Sequence, residues 1–344
     1  MIRLPRFDYY APRTIAEAAD RLTAHPDAML LAGGTDLLPN MKRRQQTPSV
    51  VVSLSGVDEL KLRTNGSGYV FGAGLTLSEI VRDAGAERDC GALHQAAAQV
   101  ATPHLRAMGT LGGNLCLDTR CNYYDQSYEW RKAIDFCMKK DGERCWVALS
   151  SPTCLAVSST DTAPALISLG ATVTLTSASG TRSVSLSDLY ANDGIHYLTR
   201  RRDEILTRVE VPDQTGWRST YWKLRRRGAF DFPVLGVAAA ANVAADGTVQ
   251  DARIVLGAVA SRPLVCISAA ESLMGATLSD EAIARAADLA FTLAKPMDNT
   301  DFALVWRKRV TRDFVTYALR ELRGDDMRQT RLKIARHALH GLHY

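Results

Sequence analysis

Four cysteines near the middle of the chain could hold a metal cofactor. They are Cys121, Cys137, Cys145 and Cys154, with 15, 7 and 8 residues between successive members. Thiolates are soft ligands that suit iron–sulfur clusters and zinc, and four of them complete the ligand set of a 4Fe-4S cluster. Structural zinc sites usually pair closely spaced cysteines, and this spacing is absent here, which favours iron–sulfur. From the residues alone, a cluster, a zinc ion and unligated buried thiols all remain open.

Two glycine-rich loops form a second candidate site, for a phosphate-bearing ligand. The first is AGGTD at 32–36 and the second is GTLGGN at 109–114. Adjacent glycines allow a tight turn that directs several backbone N–H groups to one place, and the missing side chains let a pyrophosphate approach closely. Neither loop matches G-x-G-x-x-G or the Walker A pattern, which argues against a Rossmann NAD site and a P-loop nucleotidase. The pair therefore predicts a dinucleotide site of a different fold.

The remaining cysteines and two nearby histidines are assigned to structure. Cys90, Cys116 and Cys266 lie outside the cysteine-rich segment, and packing accounts for them because free cysteine behaves as a small apolar residue. His94 and His104 flank the second glycine loop, but no Ser-His-Asp or H-E-x-x-H arrangement accompanies them. Hydrolytic chemistry is therefore not indicated.

Short helices and strands must position these loops and cysteines. Capping boxes at Thr14 and Glu17, and at Thr76 and Glu79, predict two helix starts. Further helices are expected around 92–101 and from near Ser279 and near Asp301. Strand-like apolar runs lie at 28–31, 50–54, 69–73, 155–157, 165–169, 172–175, 205–211, 234–243 and 254–259.

This order of elements predicts an α+β fold in three units. An N-terminal unit spans 1–55, a central unit spans 56–212 and a C-terminal α+β unit spans 213–325, followed by a basic, peripheral tail at 326–344. The aromatic, charged and cysteine-rich segment at about 119–156 reads as an insert in the central unit. The two glycine loops fall in the first two units, so their ligand is expected between those units.

Composition sets limits on compartment and partners. The 344 residues are 46% hydrophobic and 23% charged, with a net charge of +5, so a nucleic-acid partner is not required. The N-terminus lacks an apolar leader and no long uncharged apolar stretch occurs, which predicts a cytoplasmic protein without a membrane span. In that compartment seven cysteines are not expected to form structural disulfides, which leaves metal ligation as the better explanation for a cluster of them.

The glycine loops carry a resemblance to a known family. LLAGGTDLLP at 30–39 and TLGGN at 110–114 are similar to the two FAD-pyrophosphate loops of the flavin subunits of the xanthine oxidase family. SSTDTAPAL around Asp161, DEIL ending at Leu206 and YWKLRRRGAFDFPVLGVA around Lys223 resemble further motifs of that family, over roughly residues 3–322. The resemblance implies a two-part FAD-binding domain of the PCMH/CO dehydrogenase flavoprotein type with a C-terminal α+β domain.

The resemblance also implies which residues hold the flavin. Asp161 would contact the ribityl region, Leu206 would pack near the isoalloxazine ring and Lys223 would lie beside the flavin. Taken singly, these residues could be a helix cap, ordinary core and a solvated cation. The implied FAD residues are Leu30, Leu31, Ala32, Gly33, Gly34, Thr35, Asp36, Val100, Thr110, Gly112, Gly113, Asn114, Asp161, Leu206 and Lys223.

The cysteine-rich insert resembles the 4-hydroxybenzoyl-CoA reductase branch of the family, whose flavin subunit carries a 4Fe-4S cluster in an insert at this place. That resemblance implies FAD and a 4Fe-4S cluster on this chain, no catalytic residue of its own, a small partner with 2Fe-2S clusters and a large molybdenum-pterin partner in a dimer of heterotrimers. It further implies electrons from a low-potential donor such as ferredoxin, used to remove the ring hydroxyl of 4-hydroxybenzoyl-CoA. Two alternatives stay open: the flavin subunit of another hydroxylase or aromatic reductase, and a non-enzymatic flavin-binding module with structural zinc.

Overall fold

The computed structural model describes residues 3–228 and 230–336, and its N-terminal part is a small parallel sheet. The strands lie in the order β1-β3-β2, with β3 parallel to both neighbours. One half of the predicted capping box at Thr14 and Glu17 is confirmed, because the Thr14 hydroxyl accepts the N–H of Glu17 at 3.1 Å. The other half is not formed, since the Glu17 carboxylate accepts the N–H of Arg13 at 2.8 Å. Helix α1 then buries Ala18 and Leu22 against Val52 of β3. The elements are β1 Asp8–Tyr10, α1 Ile15–Ala24, β2 Met29–Leu31, α2 Leu37–Lys42 and β3 Val50–Ser53.

An antiparallel five-stranded sheet, in the order β4-β5-β8-β6-β7, forms the central part. The predicted capping box at Thr76 and Glu79 is confirmed, with each side chain bonded to the backbone N–H of the other residue. The strands and longer helices of this part are β4 Arg63–Asn65, β5 Gly68–Gly72, α3 Leu77–Val81, α4 Ala84–Asp89, α5 Gly91–Gln99, α6 Pro103–Arg106, α7 Leu111–Leu115, α8 Tyr128–Ala133, α9 Thr162–Ser168, β6 Thr172–Ser177, β7 Gly180–Ser185 and β8 Ile205–Pro212, with short 3₁₀ turns at Asp58–Lys61 and Leu186–Leu189.

Two of the predicted strands in this part are wrong. The run at 165–169 lies in helix α9, in which all seven residues are buried. A helix that is apolar on every side gives no periodicity, so its sequence cannot be told from a buried strand. The run at 155–157 contributes only an isolated bridge, between Val157 and Arg120. The cysteine-rich segment at 119–156 contains α8, and the rest of it is turns, irregular backbone and isolated bridges such as that between Cys137 and Lys140.

The C-terminal part packs helices against an antiparallel sheet in the order β12-β11-β10-β9. Ser279 caps α11 as predicted, accepting the N–H of Ala282 at 3.2 Å. Together with the two preceding sheets, this arrangement confirms the predicted α+β class. Across residues 3–228 and 230–336, no helix is long and apolar enough to cross a membrane. The elements are β9 Trp217–Leu224, β10 Leu235–Val243, β11 Val249–Gly257, β12 Leu264–Val265, α10 Ile267–Glu271, α11 Asp280–Leu293, α12 Leu304–Arg323 and α13 Arg328–Arg336.

The described portion of the predicted peripheral tail forms a surface helix, α13, that is docked on the fold. Residues 337–344 of the predicted tail lie outside the described residues. Helix α13 places the Arg331 guanidinium 4.0 Å from the centre of the Trp222 ring. The same group donates to Thr220 at 2.8 Å and pairs with Glu321. No local pattern predicts this docking, because these partners lie on distant elements.

Arg331→Met is expected to release α13 from the body of the protein. The change removes an ion pair and a cation–π contact that together stabilise the docked helix by about 1–2 kcal/mol. Limited trypsin digestion followed by mass spectrometry should therefore show faster cleavage at 320–336 than in the wild-type chain. Arg328→Met is the matched control, because Arg328 is exposed and, among the described residues, its side chain pairs with Asp326. Equal digestion rates for the two variants would contradict the docking role.

Acid should weaken the same contact. Burial by itself raises the pKa of Glu321, but the hydrogen bonds and charge of Arg331 outweigh burial and hold that pKa below its usual value. A carboxyl whose pKa is lower in the folded state stabilises the fold above its unfolded pKa and loses that contribution as pH falls through the folded one. Because trypsin is inactive in acid, hydrogen exchange of the α13 amides, corrected for the intrinsic exchange rate at each pH, is the measurement. Protection of α13 is expected to fall as the pH falls through the folded pKa of Glu321, and protection that does not change with pH would contradict this role of the ion pair.

Candidate functional site

The two glycine loops, which are distant in the sequence, lie against each other. A Cβ atom on Gly33 would fall 1.9 Å from the backbone oxygen of Met108, so the two backbones touch there and only glycine fits. A Cβ atom on Gly109 would lie 3.5 Å from the Thr35 hydroxyl. Gly113 differs, since it is exposed and a Cβ there would first meet its own turn at Thr110, at 3.0 Å. The loops therefore form one cradle with exposed backbone at Gly113.

Local conformation explains why each loop has its shape. Gly34 adopts a φ of +71°, which a residue with a side chain adopts only with strain. Thr110 caps the short helix α7 by accepting the N–H of Gly113 at 3.0 Å. Ala101 carries a positive φ of 43°, and Arg106 holds it by donating to its carbonyl and to that of Val100. Strained backbone of this kind is concentrated at functional sites.

Asn114 connects the second glycine loop to the segment that carries Asp161. Its side-chain oxygen accepts hydrogen bonds from the Thr160 hydroxyl at 2.8 Å and from the Thr162 hydroxyl at 2.6 Å. Asp161 accepts the Lys223 ammonium at 2.9 Å and the Tyr221 hydroxyl at 2.8 Å. Asp161 and Lys223, which are separated by most of the central sheet in the sequence, thus form a buried ion pair beside the loop.

Burial dominates the electrostatics of this ion pair. It raises the pKa of Asp161 and lowers the pKa of Lys223, while the attraction between the two groups opposes both shifts. Lys223 donates a further hydrogen bond to the Gln99 carbonyl at 3.0 Å, next to Val100. Removing either charge would leave the other without compensation in a buried place, which is strongly destabilising.

The other predicted flavin residues have two kinds of surroundings. Those of the first loop, from Leu30 to Asp36, are half-buried, as is Val100. Leu30 packs against the N-terminal core and Val100 against the central core. Gly112 is buried, and a Cβ atom on it would fall 2.7 Å from the side chain of Ala73. Leu206 lies in the core of the central part and is buried among apolar residues. Its proximity to a flavin ring stays a prediction.

The four cysteines of the insert converge on one cavity. Cys121, Cys137, Cys145 and Cys154 all line it and are all between 4% and 7% exposed. The insert is held around the cavity by the fold on either side, as when Asn122 donates its N–H to the carbonyl of Asn299 at 2.9 Å. The tertiary structure therefore brings together thiols that the sequence spreads over a long segment.

Electrostatic and hydrogen-bonding groups around the cavity suit bound thiolates. Burial raises the pKa of Cys121 to about 12 and that of Cys154 to about 11, so binding a cation must displace protons from them. The Ala156 N–H donates to the Cys154 sulfur at 3.4 Å. Lys139 also lines the cavity, and its ammonium is fixed by Asp118 at 2.8 Å and Thr119 at 2.7 Å. Four buried thiols fit the ligand set of an iron–sulfur cluster. The N–H group and the fixed ammonium beside them are groups that commonly surround such ligands.

The four cysteines do not form a ready-made site for a single metal ion. Across the described ranges, no three or more histidine, cysteine, aspartate or glutamate groups lie close enough together to hold a single metal ion. The three cysteines assigned to packing lie elsewhere: Cys90 and Cys266 are buried in the central and C-terminal cores, and Cys116 packs against the central core. Their exclusion from the cavity agrees with their assignment.

Sequence reasoning missed several residues that shape both sites. Tyr221 and Gln99 hold the Asp161–Lys223 pair, and Lys139 lines the thiol cavity. Arg120 joins the insert to the first glycine loop by pairing with Asp36. Only Arg120 carried a local signal, as the immediate neighbour of a cysteine; the others act through contacts between distant segments.

Known proteins match nearly the whole chain. The family model of the FAD binding domain in molybdopterin dehydrogenase matches residues 5–214, and that of the CO dehydrogenase flavoprotein C-terminal domain matches residues 219–322. The aldehyde oxidoreductase FAD-binding subunit PaoB of Escherichia coli (strain K12) is 33% identical over 88% of this chain and 95% of its own length. The nicotinate dehydrogenase FAD-subunit of Eubacterium barkeri is 29% identical over 80% and 82%, respectively.

A solved structure supports the same comparison. One chain of the carbon monoxide dehydrogenase from Hydrogenophaga pseudoflava, determined without the Mo-pyranopterin moiety of its molybdenum cofactor, superposes with a TM-score of 0.76. The match has 25% identity and covers 93% of this chain and 98% of that one. The predicted fold, a two-part FAD-binding domain followed by a C-terminal α+β domain, is thereby confirmed.

Proposed function

We propose a function from one premise: the chain belongs to the family of FAD-binding domains of molybdopterin dehydrogenases, with the CO dehydrogenase flavoprotein C-terminal domain attached. It is an oxidoreductase subunit that binds FAD within a molybdenum hydroxylase-type complex. The observation that carries this proposal is the meeting of the two glycine loops at one cradle inside the matched FAD-binding domain. Substrate turnover takes place on a partner, and this chain relays electrons.

The residues of the cradle have separate tasks. The loop at 32–36 and Gly113 receive the pyrophosphate, because the backbone is accessible there and Gly113 has no side chain in the way. Asn114 orients the segment 160–162 so that Asp161 is fixed beside the loop. Lys223 neutralises Asp161 and is itself anchored to Gln99, which keeps the pocket wall rigid.

The cysteine cavity holds a 4Fe-4S cluster in this proposal. Support comes from four buried thiols around one cavity, the N–H donor at Ala156 and the fixed cation of Lys139. When bound, the cluster passes electrons one at a time and the flavin accepts them singly or in pairs. Burial of the four thiols excludes water from the ligand atoms, and Lys139, held by its ion pair with Asp118, fixes one wall of the cavity.

The complex that this chain serves is proposed to oxidise its substrate. Relatives named aldehyde oxidoreductase and nicotinate dehydrogenase subunits favour that direction, with electrons passing from a large molybdenum-pterin partner through a small 2Fe-2S partner to this chain. A dimer of heterotrimers is the proposed assembly. The second candidate is a 4-hydroxybenzoyl-CoA reductase, fed by ferredoxin in the opposite direction, and the cysteine cavity is the observation that favours it.

Turnover of the assembled complex distinguishes the two directions. The chain is co-expressed with its native partners, purified without oxygen and supplied either with aldehydes or N-heteroaromatic compounds and a dye acceptor, or with 4-hydroxybenzoyl-CoA and a reduced low-potential donor. Oxidation in the first mixture alone supports the hydroxylase assignment, and dehydroxylation in the second supports the reductase. A complex that is active in either mixture while this chain binds no FAD would contradict the proposed role.

Gly113→Val is expected to lower FAD affinity at least about tenfold, or about 1.4 kcal/mol, because the new methyl groups occupy the space that the pyrophosphate needs. Fluorescence or equilibrium dialysis with the apoprotein measures the constant. The fold should tolerate the change, since a Cβ atom meets only the Thr110 hydroxyl at 3.0 Å and Ala32 at 3.7 Å. Gly34→Val is a poorer probe because Gly34 has a positive φ, so that change also strains the turn.

The matched control for Gly113→Val is Gly66→Val. Gly66 lies in the turn between β4 and β5, and a Cβ atom there would meet no other atom within 4 Å. That variant should bind FAD like the wild-type chain. Unchanged FAD affinity in Gly113→Val, with a folded protein, would remove this glycine from the proposed site.

A further inference from the structure

The insert and the first glycine loop are joined by a buried guanidinium. Arg120, immediately before Cys121, is 9% exposed and pairs with Asp36, the last residue of the loop. The same guanidinium reaches Asn40 on α2 at 3.5 Å and lies 4.7 Å from the ring centre of Phe232. An arginine in this position holds the two segments at a fixed distance, because its planar group is contacted from several sides at once.

Asp125 extends this link to the first cysteine. One of its oxygens accepts Arg120 at 3.3 Å, and the other accepts the backbone N–H of Cys121 at 3.1 Å. The neighbouring carbonyl of Tyr124 accepts the Gln45 side chain, just beyond α2, at 2.6 Å. The turn that presents Cys121 to the cavity is therefore clamped to the segment that follows the glycine loop.

From these contacts we infer that Arg120 couples the two cofactor sites, so that filling the cysteine cavity tightens FAD binding and FAD in turn stabilises the filled cavity. This inference rests on the proposed function, because it requires FAD at the loop and an iron–sulfur cluster in the cavity. Arg120 acts as a positioning residue: a cluster bound through Cys121 fixes the turn, the turn fixes Arg120, and Arg120 fixes Asp36 at the end of the pyrophosphate loop.

Coupling follows from the ordering that each ligand imposes. The contacts of Asp125 and Gln45 hold the Cys121 turn, and a cluster bound through Cys121 would add a further restraint to it. Without that restraint, part of the ordering of the loop that receives FAD comes at the expense of FAD affinity. With the cluster bound, that ordering has already taken place. Linkage then requires the reciprocal effect, in which FAD raises the retention of iron by the same factor.

The test measures FAD dissociation constants for the full chain with and without iron. One sample is reconstituted with ferrous iron and sulfide under anaerobic conditions, and the other is stripped with a chelator and mild oxidant. The wild-type chain is expected to bind FAD about tenfold more tightly when loaded, within the usual range of coupling between sites. Arg120→Met should bring that ratio close to one while iron still binds, because all four cysteines remain.

Arg43→Met is the matched control. Arg43 is more exposed and lies 3.8 Å from the same Asp125, but its pairing does not involve Asp36. This variant should keep the wild-type ratio. Added iron should restore tight FAD binding in stripped Arg43→Met and should fail to do so in Arg120→Met. General damage to the fold would not produce this difference.

Three results would overturn the coupling, and they are distinguishable. Equal FAD constants in loaded and stripped wild-type protein, with iron at full occupancy, would refute the coupling alone. A wild-type ratio that persists in Arg120→Met would refute the role of Arg120. A wild-type chain that takes up no iron would refute the coupling together with the proposed cluster. The wild-type comparison needs no variant, so the coupling can be judged even if Arg120→Met fails to fold.

Discussion

Cys145→Ala is expected to abolish stable iron binding, lowering it from about four iron and four sulfide per chain to a small fraction of that content. Cys145 is one of four thiols that line a single buried cavity, and alanine supplies no ligand atom in its place. A cubane cluster left with three protein ligands exposes one iron to solvent and to oxidation. Iron and sulfide analysis after anaerobic isolation, beside the visible absorption spectrum, measures the loss.

The same substitution at Cys266 is the matched control. Both cysteines are buried, at 4% and 2% exposure, but Cys266 lies in the apolar core of the C-terminal part. Alanine is a better control than serine there, because serine would bury a hydroxyl group in an apolar core. Cys266→Ala should keep its full iron content. Stoichiometric zinc without iron in the wild-type chain after strictly anaerobic handling would refute the electron-transfer role of the cavity.

The flavin content of these variants shows whether a change in the thiol cavity also affects the glycine-loop cradle. With FAD supplied in excess, Cys145→Ala should still contain flavin, since none of the glycine-loop contacts involves Cys145. If the cluster lies between a low-potential donor and the flavin, this variant should lose flavin reduction by that donor, while small dyes still reduce the flavin directly.

Asp161→Ala is expected to destabilise the folded protein by about 3–5 kcal/mol, the usual cost of leaving one member of a buried ion pair uncompensated. The variant leaves the Lys223 ammonium, whose side chain is fully buried, without its carboxylate partner, and it also removes the acceptor of the Tyr221 hydroxyl. The midpoint of urea unfolding of the FAD-free chain should fall accordingly. FAD content should fall as well, because the segment that Asn114 orients loses its anchor.

A double variant and a surface variant complete this experiment. The double variant Asp161→Asn/Lys223→Met removes both charges, so it should be more stable than Asp161→Asn alone or Lys223→Met alone if the ion pair is the cause. Asp288→Ala breaks an exposed pair with Arg312 and should cost less than about 1 kcal/mol. A double variant no more stable than the worse single variant would show that shape or hydrogen bonding, rather than charge, governs this position.

The thiol cavity shows which features of a site can be predicted from a single sequence. The number of cysteines and their soft-ligand chemistry could be read directly, and the family resemblance of the insert pointed to a cluster. Their spacing left zinc and plain packing open, because spacing does not tell whether thiols converge. Convergence depends on anchors such as Asn299, which lies far along the chain from the insert.

For the glycine-loop cradle, too, only part of the arrangement could be predicted from the sequence. Gly33 and Gly34 could be assigned from local chemistry, since a tight turn with exposed backbone depends on a few adjacent residues. The pairing of Asp161 with Lys223 could not, because no local rule relates residues that meet only after the central and C-terminal sheets have packed. Resemblance placed both residues near the flavin but gave no hint that they neutralise each other.

By itself, the sequence determined what local interactions control: the caps at Thr14, Thr76 and Ser279, most of the strands, the glycine turns, the α+β class and the identity of the possible ligands. The tertiary structure alone decided what depends on distant contacts. It made a helix of most of the apolar run at 165–169, docked α13 through Arg331 and joined the insert to the first glycine loop through Arg120. The physical reason is that burial and pairing are properties of the packed chain, whereas turn and cap chemistry act over a few neighbouring residues.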